Sequence, residues 1–151
     1  MTIDDITEYL LSLGGVLPVF PEPGGAWPEI SWGDSYFYYA PDGVVPTTSQ
    51  PFATIVTKRY PDEPANDLDR PGAFRVNVAA GRDAFIAWTG HTPGRAPATP
   101  APDDTIHAHP VYGSAAWLAV TNPADRTAAA LRELLRTAHT RAAARFERRP
   151  G

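Results

Sequence analysis

The chain is 151 residues long with a formal net charge of −4, a length that suits one domain over residues 1–151 and buries enough surface for a core without staples. It has no cysteine, which excludes disulfides, thiolate metal sites and a cysteine nucleophile. Seventeen acidic residues stand against thirteen basic ones, Lys58 being the sole lysine, so nucleic acid is not an expected partner: neutralising a phosphate backbone takes clustered cations.

The amino terminus MTIDDITEYLLSLGG carries acids where a secretory signal needs a basic region, and no apolar run reaches the roughly 20 residues of a membrane span. No membrane partner and a cytoplasmic location are the expectation. The excess of arginine over lysine is typical of genomes rich in G and C and points to a bacterial source.

Residues 2–14 predict a helix, with Ile3, Ile6, Leu10 and Leu13 on one face, Thr2 and Asp5 as a capping box, and Gly14 and Gly15 ending it. After VLPVF, the prolines and glycines of PEPGGAW mark a loop. EISWGDSYFYYAPDG offers two aromatic, strand-favouring pieces about Gly33 and Asp34, a pair suited to a tight hairpin turn. Pro51 to Lys58 predicts a further strand, then a polar loop, RYPDEPANDLDRPG.

FRVNV alternates, with Phe74, Val76 and Val78 facing one way and Arg75 and Asn77 the other. GRDAFIAWTG predicts a short helix closed by Gly90. The proline-rich segment 91–105 predicts an extended loop inside the domain. TIHAHPVYG and AAWLAV predict two more strands joined near Gly113. The last helix is expected over 123–149, with Asn122 as cap, Pro123 in the first position, an apolar stripe of Leu131, Leu134, Leu135, Ala138, Ala142 and Phe146, and Pro150 as its stop. Runs of strands between terminal helices argue for an α+β fold, a single antiparallel β-sheet packed by N- and C-terminal helices.

Strand spacing puts His107 and His109 on one face, a geometry that can hold a metal. Two ligands are not a site, and a third would have to come from His91, Asp103 or Asp104, so no metal is expected. His109 precedes Pro110 and is extended; it can serve as a general acid or base, or simply hydrogen-bond the backbone at a strand end. Lys58 at a strand end can meet an anion. Arg75 beside Asn77 can hold a carboxylate or phosphate with its guanidinium fork, or pair with Asp67 or Asp69. Trp27, Trp32, Tyr36, Tyr38, Tyr39, Tyr60, Tyr112 and Trp117 fill a core or line a pocket. There is no P-loop, nucleophile elbow, zinc-protease helix or dinucleotide fingerprint, and no cofactor is expected. The basic cluster RAAARFERR, residues 141–149, complements a helix end.

The segments EISWGDSYFYYAPDGVVP, QPFATIVTKRYP, LDRPGAFRVNV and HAHPVYGSAAWLAVTNP resemble an actinobacterial family of uncharacterised proteins, a domain of unknown function. More remotely, FRVNVAAGRDAF, SAAWLAV and the helix LRELLRTAHTRAAARF resemble the MmcQ/YjbR-like proteins, which implies the CyaY-like α+β sheet and, in those relatives, a double-wing DNA-binding surface. The acidic balance and single lysine depart from that pattern.

The reading that leads is a binding module for a small anionic or aromatic molecule, with Lys58 and Arg75 as anion contacts and Asn77, His107, Tyr112, Trp117 and Asp34 in the ligand-binding set. The alternatives are a small enzyme using His109 as acid or base, oriented by Asp34 or Glu29, and a protein or nucleic-acid interaction through the basic carboxy-terminal helix.

Overall fold

Thr2 and Asp5 close the predicted capping box: Asp5 N donates to Thr2 Oγ1 at 3.0 Å, and Thr2 N donates to Asp5 Oδ2 at 2.9 Å. They open α1 (Ile3–Ser12) in the computed structural model, which describes residues 1–63, 67–94 and 101–148. The other elements are β1 (Val16–Val19), β2 (Ser35–Tyr39), β3 (Ala53–Val56), β4 (Arg75–Ala79), α2 (Arg82–Thr89), β5 (His107–Ala108), β6 (Trp117–Thr121) and α3 (Ala128–Glu147). The six strands form one sheet in the order β1-β2-β3-β4-β6-β5, every neighbouring pair antiparallel. The expected architecture, an α+β fold with one antiparallel sheet and helices at both ends, is the observed one. Among the described residues no helix is long and apolar enough to cross a membrane.

The alternation of FRVNV carries through the sheet. Phe37, Ile55, Val76, Val78, Leu118 and Val120 point to one face, where Ile6 and Leu10 of α1 and Leu131, Leu134, Leu135 and Ala138 of α3 cover them. Each fully buried aliphatic side chain there stabilises the fold by about 1.5–3 kcal/mol. Phe146 extends the α3 stripe edge-on to Tyr39, with ring centroids 5.5 Å apart.

Three local expectations are corrected. Glu29–Ser31 is a 3-10 turn rather than a strand, and Gly33, at φ +88°, donates its N–H to Pro21 O instead of turning a hairpin. The antiparallel partner of β2 is β1, whose Pro18 is tolerated because β1 is an edge strand. The strand expected over TIHAHPVYG shrinks to His107–Ala108, since Pro110 has no N–H to pair and a 3-10 turn at Tyr112–Ala115 follows.

The start of α3 is the third correction. Asn122 takes φ +47° and uses its side-chain oxygen on Phe74 N, so it caps nothing, and the helix begins at Ala128. The turn that leads into it is held by Asp104, whose carboxylate accepts from Ala124 N, Arg126 N, Thr127 N and Thr127 Oγ1. Those donors hold the Asp104 pKa down at about 2. Residues 95–100 of the proline-rich loop and position 149 of the predicted helix lie outside the described residues.

Candidate functional site

The second face of the sheet is polar and covered by loops. Arg75 and Asn77 on β4 point into it with exposures of only 3% and 2%. Arg75 Nε donates to Asn77 Oδ1 at 2.8 Å, Arg75 Nη2 donates to Glu63 Oε2, and Asn77 Nδ2 donates to Thr54 Oγ1 at 3.0 Å. Glu63, itself buried, is folded down by its own loop, for Tyr60 N donates to its other carboxylate oxygen at 3.1 Å. The acceptors expected for Arg75 were Asp67 or Asp69; the acceptor is Glu63. Asp69 meets Arg59 at 3.8 Å, and the Asp67 side chain lies outside the described residues.

Next to this row lies the HAHPVYGSAAW segment. His109 N donates to Trp117 O, and the side chain then curls forward: Val111 N and Tyr112 N both donate to His109 Nδ1, at 3.0 and 2.9 Å. The imidazole therefore caps the 3-10 turn much as an asparagine side chain would. An atom that accepts two amide hydrogens carries none of its own, so the proton of the neutral ring is on Nε2. Burial, then the Arg75 charge and His107, push the His109 pKa down to about 3. This arrangement holds the ring in one tautomer. It makes the residue a fixed, uncharged hydrogen-bond donor.

The turn is held tightly. Ala116 reverses the chain at φ +65°, and Gly113 is obligatory, since a Cβ there would sit 2.5 Å from Gly94 O. The Tyr112 ring is tilted against His109 with centroids 5.0 Å apart, and Trp117 meets it edge-on at 6.3 Å. Tyr112 is nevertheless 52% exposed, standing at a rim.

Between these rings and the polar row is a cavity of about 270 Å³. Arg75, Asn77, His109, Tyr112 and Trp117 line it, with Thr54 and Glu63 beside Arg75 and Asn77, and Tyr36 and Tyr60 also in its wall. Five of the candidate ligand-binding and acid–base residues thus share one hollow. Lys58, Asp34 and His107 are not among its lining residues. Lys58 Nζ donates to Asp34 Oδ1 at 3.0 Å and to Trp32 O at 2.9 Å. Asp34 is 2% exposed and also accepts from Thr57 N, Thr57 Oγ1 and Tyr60 Oη, which ties the start of β2 to the segment after β3. It stands behind the cavity wall as a strut. Tyr60 is pushed far above the usual tyrosine range by burial and by donating to Asp34. Glu29 is exposed on its 3-10 turn.

His107 sits on the polar face, its Nδ1–H donating to Ala108 O at 2.9 Å. Its Nε2 is buried with no hydrogen-bond partner, and burial holds its pKa below that of a free histidine. The three expected sources of a third metal ligand are committed elsewhere: Asp103 pairs with Arg70 at 2.8 Å, Asp104 holds the turn before α3, and His91 Nδ1 bonds Thr92 O. Among the described residues no group of three or more His, Asp or Glu gathers as a metal site.

Sequence reasoning missed Glu63, Thr54 and Asp62, which also line the hollow. Thr54 could have been found from the strand alternation that gave Asn77, whose cross-strand partner it is. Glu63 and Asp62 lie in a polar loop with no periodic pattern to mark them.

The fold and the cavity together define a class: an α+β protein with one antiparallel sheet, one face sealed by helices and the other opening into a polar, aromatic-walled hollow. A family of unknown function, DUF6194, matches residues 1–151, and the chain belongs to it. Comparison with curated proteins and with solved structures gives no match.

Proposed function

We propose that this protein is a small-molecule binding module whose loop-covered sheet face takes a planar, uncharged aromatic group with hydrogen-bonding edges. The observation that carries this reading is the convergence of Arg75, Asn77, His109, Tyr112 and Trp117 on one cavity of about 270 Å³, close to the lower end of ordinary small-molecule sites. Tyr36, Tyr60, Tyr112 and Trp117 supply flat faces, while Thr54, Asn77 and the His109 Nε2–H supply fixed polar contacts. An anion gains little here: Glu63 balances the Arg75 charge, Asp62 adds a second carboxylate to the wall, and Lys58 is held by Asp34. The anionic half of the expected ligand thus loses the two contacts named for it, and the aromatic half is retained.

The sheet with its flanking helices supports a kinship with MmcQ/YjbR-like proteins as part of this proposal. The arginine-rich, lysine-poor composition supports an actinobacterial source and, with the absence of cysteine, a cytoplasmic setting.

A thermal-shift screen of neutral aromatic heterocycles and amides tests the reading. Compounds that raise Tm in the parent protein are expected to lose most of that shift in Tyr112→Ala, a rim substitution that leaves the buried row intact, and in Asn77→Ala. Equal shifts in parent and variants, or no stabilising compound, sink it.

A further inference from the structure

A second, larger cavity of about 450 Å³ opens where the last turns of α3 meet the segment leading into β3. Gln50, Pro51 and Trp117 line both cavities, so the two are neighbours across a shared wall. Their electrostatics are opposite. Glu63 pairs with Arg75 and Asp62 adds a second carboxylate to the wall of the first, whereas the charged residues lining the second are Arg141 and Arg145, one helical turn apart on α3.

Arg141 is placed rather than loose. Its Nη1 donates to Ala79 O at 3.1 Å, and its guanidinium passes over Gly81, where a Cβ would come within 2.6 Å of Cζ. Gly81, at φ +89°, therefore does two things: it starts α2 and leaves room for the cation. The bond to Ala79 O leaves guanidinium donors over for a ligand, since the fork has five N–H groups. Thr48, Ser49 and Gln50 stand on the facing wall. The basic cluster at the end of α3 thus has a concave partner as well as a helix dipole to complement.

We infer that the two cavities are halves of one site for a two-part ligand, with a planar aromatic head on the Arg75 side and a phosphate or carboxylate tail at Arg141 and Arg145. The inference rests on the binding reading above and names its ligand class. Trp117 is the common wall along which such a molecule would run. Opposite charge in the two halves fixes its direction, because an anionic tail is repelled by Glu63 and Asp62 and attracted by the arginines.

Matched pairs test this: a nucleoside against its 5′-monophosphate, and a phenylalkanol against the corresponding phenylalkanoate, with Kd measured by calorimetry on the full chain. In at least one pair the charged member is expected to bind about tenfold tighter at low salt, the scale of one added charge-assisted contact. That gain shrinks as salt rises, since both arginines are exposed. The double variant Arg141→Ala, Arg145→Ala removes the gain, so that charged and neutral members bind it with equal Kd, and Arg141→Lys keeps only part of the gain. Which pair shows the gain tells a phosphate tail from a carboxylate tail. Equal Kd values within both pairs, or a gain that survives the double variant, overturn the inference while the aromatic binding reading stands. Failure of every neutral and charged member to bind overturns both.

Discussion

The two faces of this sheet are built on different physics. Under α1 and α3 the side chains are aliphatic and aromatic, fully buried, and interchangeable in kind. On the opposite face the protein buries an arginine, a glutamate, an asparagine and a histidine around one cavity. The first face stabilises through area removed from water. The second loses much of what it gains, because desolvating two ions offsets most of their attraction and a well-packed apolar pair would serve stability as well or better. A fold that needed only a core would have no use for the polar row, and this contrast is the physical reason to look for function on the Arg75 side.

The comparison can be broken most directly at the buried ion pair. Glu63→Ala leaves Arg75 charged and unpaired at 3% exposure, and the expected loss is about 3–5 kcal/mol in urea unfolding. The double replacement Arg75→Met, Glu63→Leu removes both charges and is expected to recover most of that stability while abolishing ligand-induced thermal shifts. A double variant as unstable as Glu63→Ala would mean that the row is structural and the contrast between the faces is misplaced.

On the helix-covered face the corresponding cut is Leu118→Ala. Leu118 is fully buried among the α3 and strand residues, and a cavity there costs about 2–5 kcal/mol. Here no second substitution of charge restores the loss, and ligand-induced shifts are expected to persist at temperatures where the variant is folded.

A change of pH rather than of packing sharpens the role of His109. Its folded pKa, about 3, lies below the ordinary value of 6.5, so between these values the unfolded chain binds a proton that the folded chain refuses. Stability from this group is complete above pH 6.5 and declines as pH falls toward 3. His109→Asn is expected to keep the cap, since an asparagine oxygen can accept the same two amides, and to flatten this part of the stability profile. An unchanged acid slope would show that His109 does not carry the linkage. His107, held low by burial in the same direction, remains in the variant and sets the residual slope.

Short-range devices were legible along the chain. The alternation that separated Val76 and Val78 from Arg75 and Asn77, the Thr2–Asp5 box, the Leu131–Leu135 stripe and the αL glycine closing α2 each occupy a few consecutive residues whose local geometry is set by the chain itself. The same locality explains why the amides two and three residues on donate to His109. What misled was equally local in form: Asn122 and Pro123 look like a helix start, and Gly33 with Asp34 looks like a hairpin. In both cases a distant partner won, Asp104 holding residues 124–127 as a turn before α3 and β1 taking the edge of β2.

By itself the sequence determined which residues face the core, that the sheet is antiparallel between terminal helices, and that polar and aromatic side chains crowd the Arg75 and His109 segments. Tertiary structure alone decided which of those groups meet: Glu63 falling on Arg75, Lys58 spent on Asp34, and Trp117 set between two cavities of opposite charge. The reason is that periodicity and capping are fixed within a turn or two of chain, whereas a loop can close at many lengths for nearly the same entropy. The partner it delivers therefore leaves no mark in the residues on either side.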